Sequence, residues 1–222
     1  MPGYSKHRPL LKFYLMEVIL TLLVVMIARP QMGTKISKDK REGIEAMIAL
    51  DISNSMLAED VAPSRLERSK RLVEDLLNHF TNDKIGLVVF AGDAFVQLPI
   101  TADYISAKMF LDNISPSLIG SQGTDIAKAI ELSQHSFTQN SKFGKAIIII
   151  TDGENHEGGA EEMARKAQKA GIRVFILGIG STAGAPIPMD DGSYLQDKKG
   201  QTVMTKLNED MCRKVAEAGK GM

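Results

Sequence analysis

The chain has 222 residues, 44% hydrophobic and 24% charged, which places it with globular proteins rather than disordered ones. Lysine plus arginine and aspartate plus glutamate each number 27, so there is no net charge and no basic surplus of the kind a nucleic-acid surface requires. A single cysteine, Cys212, excludes a disulfide framework and a cysteine zinc site.

Residues 1–9 form a basic flank with Lys6 and Arg8. Residues 10–28, LLKFYLMEVILTLLVVMIA, are broken only by Lys12, Glu17 and Thr21. As a helix they would reach about 28 Å, close to the ~30 Å of a hydrocarbon core. Lys12 can extend to the interface, but Glu17 is costly in a bilayer unless it faces another helix. A secretory signal is the rival reading, with Lys6, Arg8 and Lys12 as its basic leader. The following RPQMG offers no small-x-small cleavage site. The segment is therefore read as an uncleaved transmembrane anchor. Basic residues flank it on both sides, so the positive-inside rule does not orient it. Residues 29–43 are polar and aperiodic and read as a juxtamembrane linker.

From residue 44 short apolar runs alternate with amphipathic stretches. IEAMIAL (44–50), IGLVVF (85–90), AIIIIT (146–151) and RVFILGIG (173–180) read as strands buried on both faces. Between the first two, Ser64-x-x-Glu67 is a capping box, and Leu66, Val73, Leu76, Leu77 and Phe80 recur at helical spacing. Residues 103–113, 125–138 and 159–170 also read as helices, the last closed by Gly171. VVFAGDAFVQL turns at Ala91-Gly92-Asp93, which makes residues 95–98 an antiparallel edge strand. The fold class expected over 44–222 is α/β, a doubly wound, mainly parallel sheet with one antiparallel edge strand. Residues 181–205 break the rhythm with a small hairpin around Lys198-Lys199-Gly200. A last helix is expected near 206–218. An α/β unit would ordinarily return to its sheet after that helix, so the domain reads as cut short before its last strand.

In open α/β sheets ligands bind at the carboxyl ends of the parallel strands, and three loops are expected there. Asp51, Ser53 and Ser55 follow the first strand, Thr124 and Asp125 open a helix after GSQG, and Asp152 follows AIIIIT. The carboxylates of Asp51 and Asp152 and the hydroxyls of Ser53, Ser55 and Thr124, with no histidine or cysteine, suit a hard cation, Mg²⁺ or Mn²⁺, that keeps some of its water. Gly123 and Gly153 permit sharp turns beside them. Taken singly each loop has a plainer explanation, since Asp and Ser make turns and Thr124-Asp125 is an ordinary helix cap. Their arrival on one rim favours the site.

DISNS, GTD and TDGEN resemble the metal-ion-dependent adhesion site of von Willebrand factor A domains. The resemblance implies Ser53, Ser55 and Thr124 as direct ligands, Asp51 and Asp152 as direct or water-mediated ones, and Asp125 behind them. Glu154 and Asp125 would shape the rim. GLVVFAGDAFVQLPIT, SAKMFLDNISP and GAPIPMDDGSYLQDKKGQTVMTKLNEDM are similar to the bacterial Bat proteins, named for aerotolerance, and within them to the BatB branch. That likeness implies an inner-membrane protein with a periplasmic domain. It also implies other von Willebrand factor A or tetratricopeptide proteins and a MoxR-type AAA+ ATPase as partners, and a carboxylate-bearing protein ligand in place of catalysis.

Two other readings remain open. Asp51 with Mg²⁺ suits phosphotransfer or hydrolysis, although position 53 is Ser and no lysine is placed to balance a phosphoaspartate. A scaffold with a vestigial metal site is the other. A serine hydrolase would need Gly-x-Ser-x-Gly, which is absent. GIGSTAG (178–184) lacks the glycine spacing of a nucleotide loop and reads as an ordinary loop. The histidines are scattered, with only His156 near a proposed ligand and expected to face solvent.

Overall fold

The structure, a computed structural model, describes residues 7–28, 43–139, 143–155, 157–189 and 191–222. Most of the expected linker and His156 lie outside them. The chain divides between residues 40 and 41 into two units.

In the first unit α1 (His7–Ala28) is one helix. Its stretch Pro9–Ile27 has a mean hydropathy of 2.3 with none of it buried, and is long and apolar enough to cross a membrane. Pro9 falls in the first turn, where a missing N–H costs nothing. The Thr21 hydroxyl donates to the Glu17 carbonyl at 2.7 Å, which satisfies it within the helix.

The second unit is built on five strands: β1 (Ile44–Asp51), β2 (Lys84–Phe90), β3 (Ala94–Thr101), β4 (Gly144–Thr151) and β5 (Ile172–Gly178). Their spatial order is β3-β2-β1-β4-β5, all parallel except the β2–β3 pair. Every residue of β1 after Ile44 is buried. Along it the faces alternate. Ala46, Ile48 and Leu50 join Leu66, Val73 and Leu77 of α2 (Arg65–His79) and Leu111 of α3 (Tyr104–Asp112). Met47 and Ala49 join Ile126 and Ile130 of α4 (Ile126–His135), Ala164 and Ala167 of α5 (Ala160–Lys169), and Val215 of α6 (Glu209–Ala218). Burial of each large aliphatic side chain in these layers contributes about 1.5–3 kcal/mol.

The differences from expectation have local causes. β3 runs on through Pro99 to Thr101, which an edge strand tolerates because one side of its ladder is unused. Only half the capping box forms: Ser64 accepts from the Glu67 amide at 3.2 Å, while the Glu67 carboxylate turns to Lys70 at 2.8 Å. α4 stops at His135, and α6 starts at Glu209 because Asn208 caps the Met211 amide. The irregular segment folds as two successive hairpins. β6 (Ala185–Pro186) pairs with β7 (Met204–Thr205), and bridges join Pro188 to Tyr194 and Gln196 to Thr202. After α6, the carbonyls of Gly219 and Met222 accept from the Val174 and Ile176 amides, each at 3.2 Å, so residues 219–222 lie along the outer edge of β5.

Strand order reverses at β1. β2 lies on one side and β4 on the other, which creates a crevice above the carboxyl ends of β1 and β4.

Candidate metal centre

Asp51 is the last residue of β1 and Thr151 the last of β4, so the strand register brings them to the mouth of that crevice. Asp51 is fully buried. Its Oδ1 accepts the Ser53 amide at 2.9 Å, which turns the chain out of the strand, and its Oδ2 accepts the Thr151 hydroxyl at 2.6 Å. Ser53 and Ser55 are also buried, with hydroxyl oxygens 3.0 Å apart. Alternate spacing thus brings both hydroxyls together beside the aspartate.

Asp152 follows β4 and is fully buried, its Oδ1 accepting the Glu154 amide at 3.1 Å. The chain escapes here through Gly153, at φ +79°, whose amide donates to the Thr151 hydroxyl. A Cβ at Gly153 would lie 2.7 Å from the Asn208 carbonyl and 2.8 Å from Cys212 Sγ, so only glycine fits. Two residues on, the buried amide oxygen of Asn155 has no hydrogen-bond partner.

The third loop is fastened to the same rim by bonds from backbone amides. The Gly92 amide reaches the Ser121 carbonyl at 3.1 Å, the Asp125 amide the Ala91 carbonyl at 2.8 Å, and the Asn54 amide the Gln122 side chain at 3.3 Å. Thr124 is buried within it. The Asp125 carboxylate caps α4 through the Lys128 amide at 2.9 Å, with Lys128 Nζ 3.6 Å away. Asp51, Ser53 and Ser55 are therefore joined side chain to neighbour, whereas Thr124 and Asp125 approach through main-chain fastening.

The residue sequence reasoning missed is Arg65. Its side chain is wholly buried at the start of α2. Nε and Nη2 grip both oxygens of Asp60 at 2.8 Å each, and Nη1 donates to Asp152 Oδ2 at 2.9 Å and to the Thr205 hydroxyl at 3.0 Å. A signal was present: Arg65 is in phase with Ser69, Val73 and Leu77, the buried stripe of α2, and a charge on such a stripe demands buried partners.

The electrostatics follow from this packing. Burial, and then the neighbouring Asp152, push the Asp51 carboxyl from 3.8 up to about 7; hydrogen bonds from Thr151 and Ser53 offset this only in part. Hydrogen bonds from Arg65 hold Asp60 below the usual carboxylate range. Burial and Asp152 together push the Cys212 thiol up to about 11, which leaves it unreactive. One guanidinium thus serves two carboxylates, those of Asp60 and Asp152, and Asp51 lies near enough to Asp152 to feel its charge. Among the described residues no three His, Cys, Asp or Glu side chains converge on one point as metal ligands. A donor set of two carboxylates with hydroxyls fits a hard cation such as Mg²⁺ or Mn²⁺.

Residues 46–154 match the model of the von Willebrand factor type A domain. A conserved hypothetical protein, BatB, of Bacteroides thetaiotaomicron is 59% identical, with a TM-score of 0.79 over 81% of this chain and 88% of that one. An aerotolerance-related membrane protein of Bacteroides fragilis, solved with multiple mutations to serine, is 57% identical, with the same TM-score over 81% and 89%. An uncharacterised protein of Borreliella burgdorferi is 31% identical over 164 residues, 72% of this chain and 48% of that protein. The chain spans about half to two thirds of the length of the curated relatives it matches. The Bacteroides fragilis protein is named for aerotolerance and membrane association, and neither Bacteroides protein is named for an enzymatic reaction. With identity of this order over most of both chains, the protein belongs to the von Willebrand factor A domain family, in its Bat-type, aerotolerance-related branch.

Proposed function

We propose that the chain is a membrane-anchored adhesion module that holds Mg²⁺ or Mn²⁺ at Asp51, Ser53, Ser55, Thr124 and Asp152, with Asp125 behind them, and through that cation accepts a carboxylate from a protein partner. The observation that carries this reading is the pair of buried carboxylates, Asp51 and Asp152, at the crevice between β1 and β4, with Asp51 pushed up to about 7. Such a pair is costly without further positive charge. A divalent cation brings the summed charge of Asp51, Asp60, Asp152 and Arg65 to zero, and the paired serine hydroxyls supply neutral oxygens beside it. A coordination position left to water would then be open to a carboxylate from outside.

In this reading residues 10–28 anchor the chain in a bacterial inner membrane, residues 29–43 are a linker, and the domain from 44 onward faces the periplasm. Other von Willebrand factor A or tetratricopeptide proteins and a MoxR-type AAA+ ATPase are the partners that kinship with Bat proteins suggests. The test is co-purification of the tagged full chain from bacterial membranes in Mg²⁺ and in EDTA, beside Asp51→Ala. A partner released by EDTA and absent with the variant supports the reading. Partners recovered equally in all three contradict it.

A further inference from the structure

We infer that Arg65 is a positioning residue that ties the proposed cation centre to the hairpin segment 179–205, so that cation binding and the order of that segment are coupled. The inference rests on the cation reading above.

Both ends of the segment close on one guanidinium–carboxylate pair. At its start Asp60 Oδ2 accepts the Ser181 amide at 2.6 Å, and the same oxygen accepts Arg65 Nη2 at 2.8 Å. Gly180, at φ +131°, lies flat against the guanidinium, where a Cβ would stand 2.8 Å from Nε. At its end the Thr205 hydroxyl and carbonyl accept from Nη1 and Nη2 at 3.0 and 3.2 Å. The third arm of the fork reaches Asp152, and Thr205 also donates to that carboxylate oxygen at 3.3 Å. Just beyond the segment, the Asn208 amide binds the Asp152 carbonyl at 2.8 Å.

Arg65 therefore holds Asp152 in place with the same planar group that clamps the segment. An ammonium has the charge but not the fork, so lysine cannot meet Asp60, Asp152 and Thr205 together. Coupling between two sites is reciprocal: a cation that fixes Asp152 steadies the clamp, and a steady clamp tightens the cation. The segment presents Met189, Tyr194 and Met204, which are 41, 52 and 58% exposed, so the coupling also sets how firmly an apolar surface is displayed.

The experiment is hydrogen–deuterium exchange on the full chain in lipid nanodiscs with and without Mg²⁺, alongside calorimetric titration of Mg²⁺, for wild type, Arg65→Lys and Thr205→Val. Mg²⁺ should slow exchange across 181–205 in the wild type. Arg65→Lys should weaken Mg²⁺ about tenfold or more, as loss of a group that orients a metal ligand does, and abolish the slowing. Should the lysine chain not fold, Thr205→Val carries the test, with the slowing reduced while Mg²⁺ still binds. A wild type that binds Mg²⁺ while exchange across 181–205 is unmoved overturns the coupling alone, as does a folded lysine chain that binds as tightly as wild type. A folded wild type that binds no Mg²⁺ overturns the cation reading and the coupling with it.

Discussion

Arg65 and Asp152 form an ion pair of 2.9 Å in which neither side chain is exposed to solvent. Removing one member of such a pair leaves the other charged and buried. Arg65→Met keeps the bulk and deletes the charge, so Asp152 and Asp60 both lose their counter-ion. The expected cost is about 3–5 kcal/mol, read as a drop in the urea unfolding free energy.

The opposite sign is expected at Asp51. Its carboxyl sits at about 7 in the fold against 3.8 as an ordinary aspartate, because burial and Asp152 disfavour the charged form. A raised acid weakens the folded state as it ionises: the penalty is absent below about pH 4, grows with rising pH and is complete above pH 7. Asp51→Asn should therefore raise the stability of the metal-free protein at pH 8, by on the order of 4 kcal/mol, and do little at pH 4. Thermal melting in EDTA across that range checks it. Mg²⁺ should erase most of the wild-type loss at high pH while leaving the asparagine variant unmoved.

Gly180 and Gly171 offer a controlled comparison. Both have positive φ, but a Cβ at Gly180 would collide with the Arg65 guanidinium, whereas nothing lies within 4 Å at Gly171. Gly171→Ala should cost about 1 kcal/mol from backbone strain alone. Gly180→Ala should cost about 2 kcal/mol or more, since it also breaks the grip on Asp60. Denaturant midpoints compared at equal slopes decide between them.

The amino-terminal helix and the domain are separate units, and the stretch Pro9–Ile27 is apolar and exposed. The full chain should stay with bacterial membranes through alkaline carbonate washing. A chain lacking residues 1–40 should be recovered in the soluble fraction with an unchanged melting temperature. Release of the full chain by carbonate would contradict the anchor.

Much of this was legible from one sequence because the information is local. The Ile- and Val-rich runs became β1, β2 and β4 with both faces covered, and their two-residue alternation divides cleanly between the helix layers. Asp51, Ser53 and Ser55 were visible as a spacing because a single turn joins them. Arg65 showed only as a charge in phase with the buried stripe of α2, and its role did not, since its partners lie 5, 87 and 140 residues away and meet only in the folded chain. Thr205 was hidden for the same reason, in a segment whose weak periodicity gives no register. The Glu67 half of the capping box failed where Lys70 offered a better partner at 2.8 Å.

The central claim is that Asp51 and Asp152 await a cation, and calorimetric titration of Mg²⁺ and Mn²⁺ into the full chain at pH 8, beside Asp51→Ala and Ser53→Ala, tests it most directly. One saturable site in the wild type, lost in both folded variants and weakened at pH 6 where Asp51 holds its proton, is the expected result. A folded wild type that takes up neither metal would contradict the claim and leave the loop after β1 as a turn.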